Sequence, residues 1–271
     1  MTALDDAAAD GAEPAADATR RPRDFVQSVE RALSIIRAFG PRTPAMTVSE
    51  IAAATDLTRA AARRFLLTLE ELGYVRSDGR NFSLTPRVLE LGYAFLSSLS
   101  LPEVAQPHLE QLVAESQESS EGAILDGDQI VYVMRVSGPA IMNATVAVGS
   151  RMPAAATALG RALLAGLPDA ELDAFLATVE LRAFLPNTIV DHALLRDELM
   201  RVRAQGYALV DQELEEGLLA LAVPVRDRRG VTVAAINLST HVARRTPAEA
   251  RELLLPPLLR AAASIEAGLA R

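Results

Sequence analysis

The sequence predicts an α+β protein in two parts: a small winged helix-turn-helix head and a larger body, joined by a connector helix. Three observations carry this expectation. Residues 47–72, TVSEIAAATDLTRAAARRFLLTLEEL, read as two helices joined by a tight turn. A strand–turn–strand pattern follows at once, with Asp78-Gly79 at its tip. Beyond residue 100 short alternating strands mix with helical periods, the pattern of an antiparallel sheet carrying helices. The expected divisions are a disordered tail over 1–23, the head over 24–85, the connector over 86–100 and the body over 101–271.

The tail is rich in Ala and Asp and has too few large apolar groups to offset the entropy of ordering. In the head, Val29, Leu33, Ile36 and Phe39 recur at helical spacing and predict an amphipathic helix over 26–39, closed by Gly40-Pro41. Thr47 with Glu50 three residues later forms a capping box for a short second helix, with Ile51 as its core contact. Leu57 closes the turn and Thr58 caps the third helix. Ala62, Phe65, Leu66, Leu69 and Leu72 make its buried stripe, and Gly73 stops it. Tyr74–Arg76 and Asn81–Leu84 form the wing.

Pro86 opens the connector, which runs to about Ser98, and Pro102 opens another helix to about Glu118. EGAILDGDQIVYVMRV reads as two strands around Asp126-Gly127, and ATVAV as a third. Helices are expected over 155–165, 168–179, 192–205 and 247–270, and strands over 207–211, 219–226 and 231–239.

Composition bounds the function. With half of 271 residues hydrophobic, a sizeable core is available. No apolar run reaches the roughly 18 residues a bilayer span needs, and the N-terminus lacks a basic-then-apolar leader pattern. A soluble cytoplasmic protein with no membrane partner is the expectation. There is no cysteine, and His108, His192 and His241 are scattered, which argues against thiolate chemistry and a structural zinc site. Nothing in the motifs asks for a cofactor. All 27 basic residues are arginine and net charge is −8, too acidic for an extended nucleic-acid coat. The head is the exception, with nine arginines against eight carboxylates over 24–100.

That local balance suits one DNA contact. Arg59, Ala60, Ala61, Arg63 and Arg64 point outward within the first two turns of the third helix. Arginine is the commonest reader of guanine in the major groove, and small neighbours let the backbone approach. Thr47, Ser49 and Thr58 offer hydroxyls and helix N-termini to phosphates, and the wing adds Arg76 and Arg80. The competing reading is a winged helix used for protein contacts. In the body, Asp211, Glu213, Glu215 and Glu216 raise the question of acid/base catalysis. Carboxylates alternating before a glycine read more simply as an exposed loop, and nucleophile elbow, P-loop and Cys/His pair are all missing. A regulator is therefore expected rather than a small-molecule enzyme with an incidental helix-turn-helix. A dimerisation module without a ligand is the third reading.

From about Phe25 to its end the chain resembles the IclR family of bacterial regulators. The resemblance rests on SVERALSIIRAF (28–39), TVSEIAAATDLTRAAARRFLLTLEELGYV (47–75), LTPRVLELG (84–92), ATALGRALLA (156–165), and Gly206, Glu213, Ala220, Leu221, Ala222, Val225 and Asp227. Val210 and Arg226 depart from the family pattern, which has Asp or Ser at the first and an aromatic or His at the second. LTRAAARRFLLTL and GYALVDQELEEGL resemble the branch that controls protocatechuate and 4-hydroxybenzoate catabolism through the β-ketoadipate pathway. The resemblance implies a GAF/profilin-like body that binds a small carboxylate effector, and double-stranded operator or promoter DNA as the head's partner. It also implies a homodimer through the heads, often a dimer of dimers; a contact with RNA polymerase stays open. Members of this branch are frequently activators, while others repress. A repressor of a different carboxylate pathway, with glyoxylate, pyruvate or another aromatic acid as effector, is the alternative.

For the effector, the helix starting near Ala155 offers free backbone N–H groups and a positive dipole end, with Thr157, Ala158 and Leu159 at the matching family turn. Asn237 and Ser239 alternate onto one face of a strand. By resemblance they and Ala220 line the pocket, and Val210 replaces an acid there with an apolar wall. Arg135 and Arg151 read first as surface or interface groups, and Met134 and Met142 as core filler.

Overall fold

A computed structural model gives the fold and describes residues 24–98, 100–139 and 146–270. The expected disordered tail over 1–23 lies outside them, as does Met142. The chain divides into two compact units between Tyr93 and Ala94.

The first unit contains α1 (Gln27–Ala38), β1 (Met46–Thr47), α2 (Val48–Ala54), α3 (Arg59–Glu71), β2 (Val75–Ser77) and β3 (Asn81–Leu84). The strands form an antiparallel sheet in the order β1-β3-β2, so the wing gains a third strand that the sequence pattern did not predict. The caps are as expected. Thr47 and Glu50 satisfy one another's backbone N–H groups, and Thr58 Oγ1 accepts from Ala61 N at 3.2 Å. Gly73, at φ +80°, ends α3 with a Schellman turn: its N–H donates to Glu70 O and that of Tyr74 to Leu69 O.

Two details of the core differ from expectation. Val29 and Leu33 lie exposed and Ile35 is the buried residue of α1. Only the C-terminal half of α1 reaches the small core of Ile35, Ile51, Ala62, Leu66 and Leu69, where Ile36 and Phe39 pack as expected. Leu72 is also exposed, because it sits at the helix cap, past the last packed turn.

A 3₁₀ turn (Pro86–Val88) leads into α4 (Leu89–Ser98), within which the division between the units falls, and α5 (Ser100–Ser116) follows. The body then runs β4 (Ser120–Asp126), β5 (Gln129–Val136), β6 (Arg151–Pro153), α6 (Ala158–Ala165), α7 (Asp169–Thr178), α8 (His192–Gln205), β7 (Ala208–Asp211), β8 (Leu218–Arg226), β9 (Thr232–His241), α9 (Pro247–Leu253) and α10 (Leu255–Leu269). Its six strands form one antiparallel sheet in the order β6-β5-β4-β9-β8-β7. Both faces of this sheet are covered, which is why β8 is apolar almost throughout rather than alternating. Ala220, Ala222 and Ala235 face a core with α6 and α8, while Leu221, Val223, Ile236 and Leu238 face a core with α5 and α10. Met134 belongs to that second core.

Three elements depart from expectation. Residues 146–148 of the ATVAV segment are not strand; the third strand is Arg151–Pro153. The helix expected from 155 begins at Ala158, because Thr157 is extended (φ −119°, ψ 148°) and a separate 3₁₀ turn holds Ala154–Ala156. The closing helix breaks at Leu254, where Pro256 and Pro257 start a new helix with no N–H to donate backward. Among the described residues no helix is long and apolar enough to cross a membrane.

Candidate functional site: nucleic-acid interface and ligand pocket

In the head, Thr58 caps α3 and thereby fixes where its first turn points. Arg59, Ala60, Arg63 and Arg64 are exposed there and Ala61 is half-buried. Arg59 and Arg63 share one groove with Thr47, Ser49 and the wing residues Gly79 and Arg80. The wing is held against α3 by Glu70, whose Oε1 accepts from Ser77 N at 3.1 Å. Its tip is set by Asp78, which accepts from Asn81 N at 2.7 Å and Arg80 N at 2.9 Å. Those bonds hold the Asp78 carboxyl below its ordinary range, and the bond from Thr47 N does the same for Glu50. Arg76 is separate: its Nε donates to Ser83 Oγ at 3.1 Å, and it borders another depression with Pro44 and Ala45. Among the described residues no ion pair engages Arg59, Arg63, Arg64 or Arg80. The arrangement presents a helix start, free cations and a basic wing tip on one side.

In the body, all six residues expected around the ligand line one cavity: Thr157, Ala158, Leu159, Ala220, Asn237 and Ser239. About 530 Å³ is free of atoms there, the open mouth included. Thr157 is the N-cap of α6, its Oγ1 accepting from Gly160 N at 3.1 Å, so the N–H groups of Ala158 and Leu159 begin the helix without ladder partners. Gly160 is required for this approach, since a Cβ there would lie 2.1 Å from the Ala154 carbonyl oxygen. Val146, Met152, Val210 and Leu218 supply apolar walls.

The polar wall is built across three strands. Asn237 Oδ1 accepts from Glu121 N at 2.6 Å, Asn237 Nδ2 donates to Ser239 Oγ at 3.0 Å, and Ser239 Oγ donates to Glu121 Oε2 at 3.3 Å. Arg135, opposite Glu121 in the β4–β5 register, stands off at 3.9 Å and gives its Nη1 to the Val146 carbonyl. Burial pushes the Glu121 carboxyl above its ordinary range, against the lowering effects of Asn237, Arg135 and Ser239. Burial, then Glu121, raises the Tyr132 phenol in the same pocket.

Sequence reasoning missed Glu121, Tyr132 and Arg161, and it misplaced Glu213. Glu213 is not in an exposed loop. It is buried and receives Arg161 bidentately at 2.6 and 2.5 Å, while Ile189 N donates to its Oε2 at 3.2 Å. Arg161 Nε reaches Ala155 O at 2.8 Å, so the pair ties α6 to the loop carrying Glu213, Leu214 and Glu215 on the pocket rim. A lone arginine within ALGRALLA was the available signal, because a cation on an apolar helix needs a buried counter-charge. A second missed carboxylate, Glu118, is fully buried against Thr240, Arg244 and Arg245. Arg151 is a surface group paired with Asp126. Asp191 caps α8, and His192 lies exposed in its first turn, with Nε2 meeting the Val179 carbonyl at 3.0 Å. His241, at the end of β9, is exposed.

The "IclR helix-turn-helix domain" model matches residues 28–79 and the "Bacterial transcriptional regulator IclR C-terminal" model residues 93–267. The chain is 43% identical over 239 residues to the Pca regulon regulatory protein of Pseudomonas putida, covering 88% of this chain and 82% of that one. It is 35% identical over 252 residues to the p-hydroxybenzoate hydroxylase transcriptional activator of Acinetobacter baylyi, covering 91% and 93%. A crystal structure of an IclR homolog from Microbacterium hydrocarbonoxydans complexed with 4-hydroxybenzoate matches with TM-score 0.79 at 25% identity, covering 89% of this chain and 98% of that one.

Proposed function

Because the chain belongs to the IclR family of bacterial transcriptional regulators, we propose that it controls a catabolic operon in response to a small carboxylate of aromatic catabolism. It is a DNA-binding regulator with a small-molecule ligand domain, and not an enzyme. Protocatechuate, 4-hydroxybenzoate or β-ketoadipate is the effector. The observation that carries this reading is the cavity at the start of α6, where first-turn N–H groups and the Asn237–Ser239 wall stand opposite apolar Val146, Met152 and Val210. A carboxylate goes to the helix start and a ring or chain to the apolar side. Val210, apolar where the family carries Asp or Ser, favours a ring over a smaller keto-acid at that wall.

On the DNA side, Arg59, Ala60, Ala61, Arg63 and Arg64 enter the major groove, Thr47, Ser49 and Thr58 meet phosphates, and Arg76 and Arg80 follow the backbone or minor groove. The protein acts as a homodimer, or a dimer of dimers, in the cytoplasm. Exposed Val26 just before α1, exposed Val29 and Leu33 on it, and exposed Leu89, Leu91 and Tyr93 on α4 support pairing of heads. Half-sites then lie about 34–36 Å apart on one DNA face. The effector stabilises one arrangement of the body over another, and α4 carries that preference to the heads. A contact with RNA polymerase belongs to the activating form of this scheme. A thermal-shift screen over protocatechuate, 4-hydroxybenzoate, β-ketoadipate and pyruvate tests the ligand class. A rise with pyruvate alone moves the protein to another carboxylate pathway, and consumption of a ligand by the purified protein ends the reading.

A further inference from the structure

The polar wall of the pocket has an unusual hydrogen budget. Ser239 has one hydroxyl hydrogen, and in the structure it points to Glu121 Oε2 at 3.3 Å. Its oxygen accepts from Asn237 Nδ2 at 3.0 Å, and Asn237 Oδ1 is taken by Glu121 N at 2.6 Å. While Glu121 is ionised, Ser239 therefore has no hydrogen left to donate into the cavity it lines, and a carboxylate ligand meets a second carboxylate behind the wall. A proton on Oε2 reverses the bond. Glu121 then donates to Ser239 Oγ, both Ser239 lone pairs are filled, and the hydroxyl hydrogen turns to the ligand.

We propose that Glu121 is the positioning residue of this pocket, and that an anionic effector binds together with one proton shared between Glu121 and Ser239. The inference rests on the reading of the cavity as the effector site. Its surroundings support it. Glu121 is buried at 6% exposure. From β5 it faces Arg135 and Tyr132; the guanidinium is 3.9 Å away, beyond hydrogen-bond reach, and its Nε is buried without a partner. From β9 it faces Asn237 and Ser239, with exposed His241 two residues further on. From α6 the charged group is Arg161, already held by Glu213. Glu118, on the same strand side of the chain, is held by Arg244 and Arg245. From α5 come the apolar Leu109 and Leu112 of the other core. Among the described residues no cation donates a direct hydrogen bond to the Glu121 carboxyl, and burial already favours its neutral form.

The test is calorimetric titration of the full chain with 4-hydroxybenzoate in two buffers of different ionisation enthalpy, between about pH 6 and 8.5, where the probe's carboxyl stays ionised. The expected result is uptake of up to one proton per site, with Kd weakening by as much as tenfold per pH unit above the titration of Glu121. In Glu121→Gln the amide N–H permanently donates to Ser239, so uptake disappears, Kd becomes flat with pH, and binding at the alkaline end is tighter than wild type. Ser239→Ala weakens binding about tenfold at the acid end and much less at the alkaline end. If Glu121→Gln does not fold, the wild-type proton count and Ser239→Ala decide. A pH-independent Kd without uptake in the wild type, or uptake that persists in Glu121→Gln, overturns the proposal and leaves the effector site standing. Absence of binding heat with 4-hydroxybenzoate, protocatechuate and β-ketoadipate alike overturns both.

Discussion

Arginine does opposite things in the two units. In the head, Arg59, Arg63, Arg64 and Arg80 stand in solvent, and among the described residues no ion pair engages them. In the body, Arg161 is 1% exposed and locked bidentately to Glu213. The difference is one of solvation. An exposed guanidinium loses little when its partner is DNA rather than water, so it is free to bind. A buried one loses its hydration on folding and is stable only with a counter-charge. Exposure without a partner therefore marks a cation available for recognition, and burial with a partner marks one that holds the fold.

This contrast is breakable by substitution, and the largest effect belongs to the body. Arg161→Ala leaves Glu213 buried and uncompensated and should cost about 3–5 kcal/mol of unfolding free energy, read by urea denaturation. A loss under 1 kcal/mol would place that pair with the surface bridges. Arg63→Ala should reverse the profile: about 1–3 kcal/mol lost in binding the specific operator, with stability changed by no more than about 0.5 kcal/mol. Equal loss on all DNA sequences would make Arg63 a phosphate contact. Thr58→Ala removes the α3 cap and should cost about 1 kcal/mol of stability, with DNA affinity following only because the helix start loosens.

The smallest effect is in pH. Burial raises the Glu121 carboxyl, so between its unfolded value and its folded value the native state binds more protons than the unfolded chain. Its contribution is fully present below about pH 4.5 and is lost as pH rises through the raised folded value. Wild-type stability should thus fall relative to Glu121→Gln as pH rises from about 4.5 toward neutrality and beyond. Thermal unfolding of both proteins across that range checks the sign; a constant difference would mean the carboxyl titrates normally.

The head was legible because its signals are local. A capping box spans Thr47 to Glu50, the wing turn sits at Asp78-Gly79, and Gly73 stops α3 one turn after Leu69, its last packed leucine. The exception, the N-terminal half of α1, follows from the same logic. Val29 and Leu33 are apolar and exposed, so periodicity alone assigned them to a core they do not reach. In the body every strand but Arg151–Pro153 and most helices were legible, and so were the six residues that share the cavity. What was not legible depends on distance along the chain. Arg161 and Glu213 are 52 residues apart, and Ser239 and Glu121 are 118 apart. Only the sheet order, which sets β4 beside β9, brings the second pair together.

The most direct test of the account is fluorescence anisotropy with DNA from upstream of the adjacent catabolic operon, titrated at physiological salt with and without protocatechuate or 4-hydroxybenzoate. The account predicts sequence-specific binding whose affinity or stoichiometry shifts with effector, and loss of that specificity in Arg63→Ala. Binding that ignores sequence, or specific binding that every one of these carboxylates leaves unchanged, would contradict it.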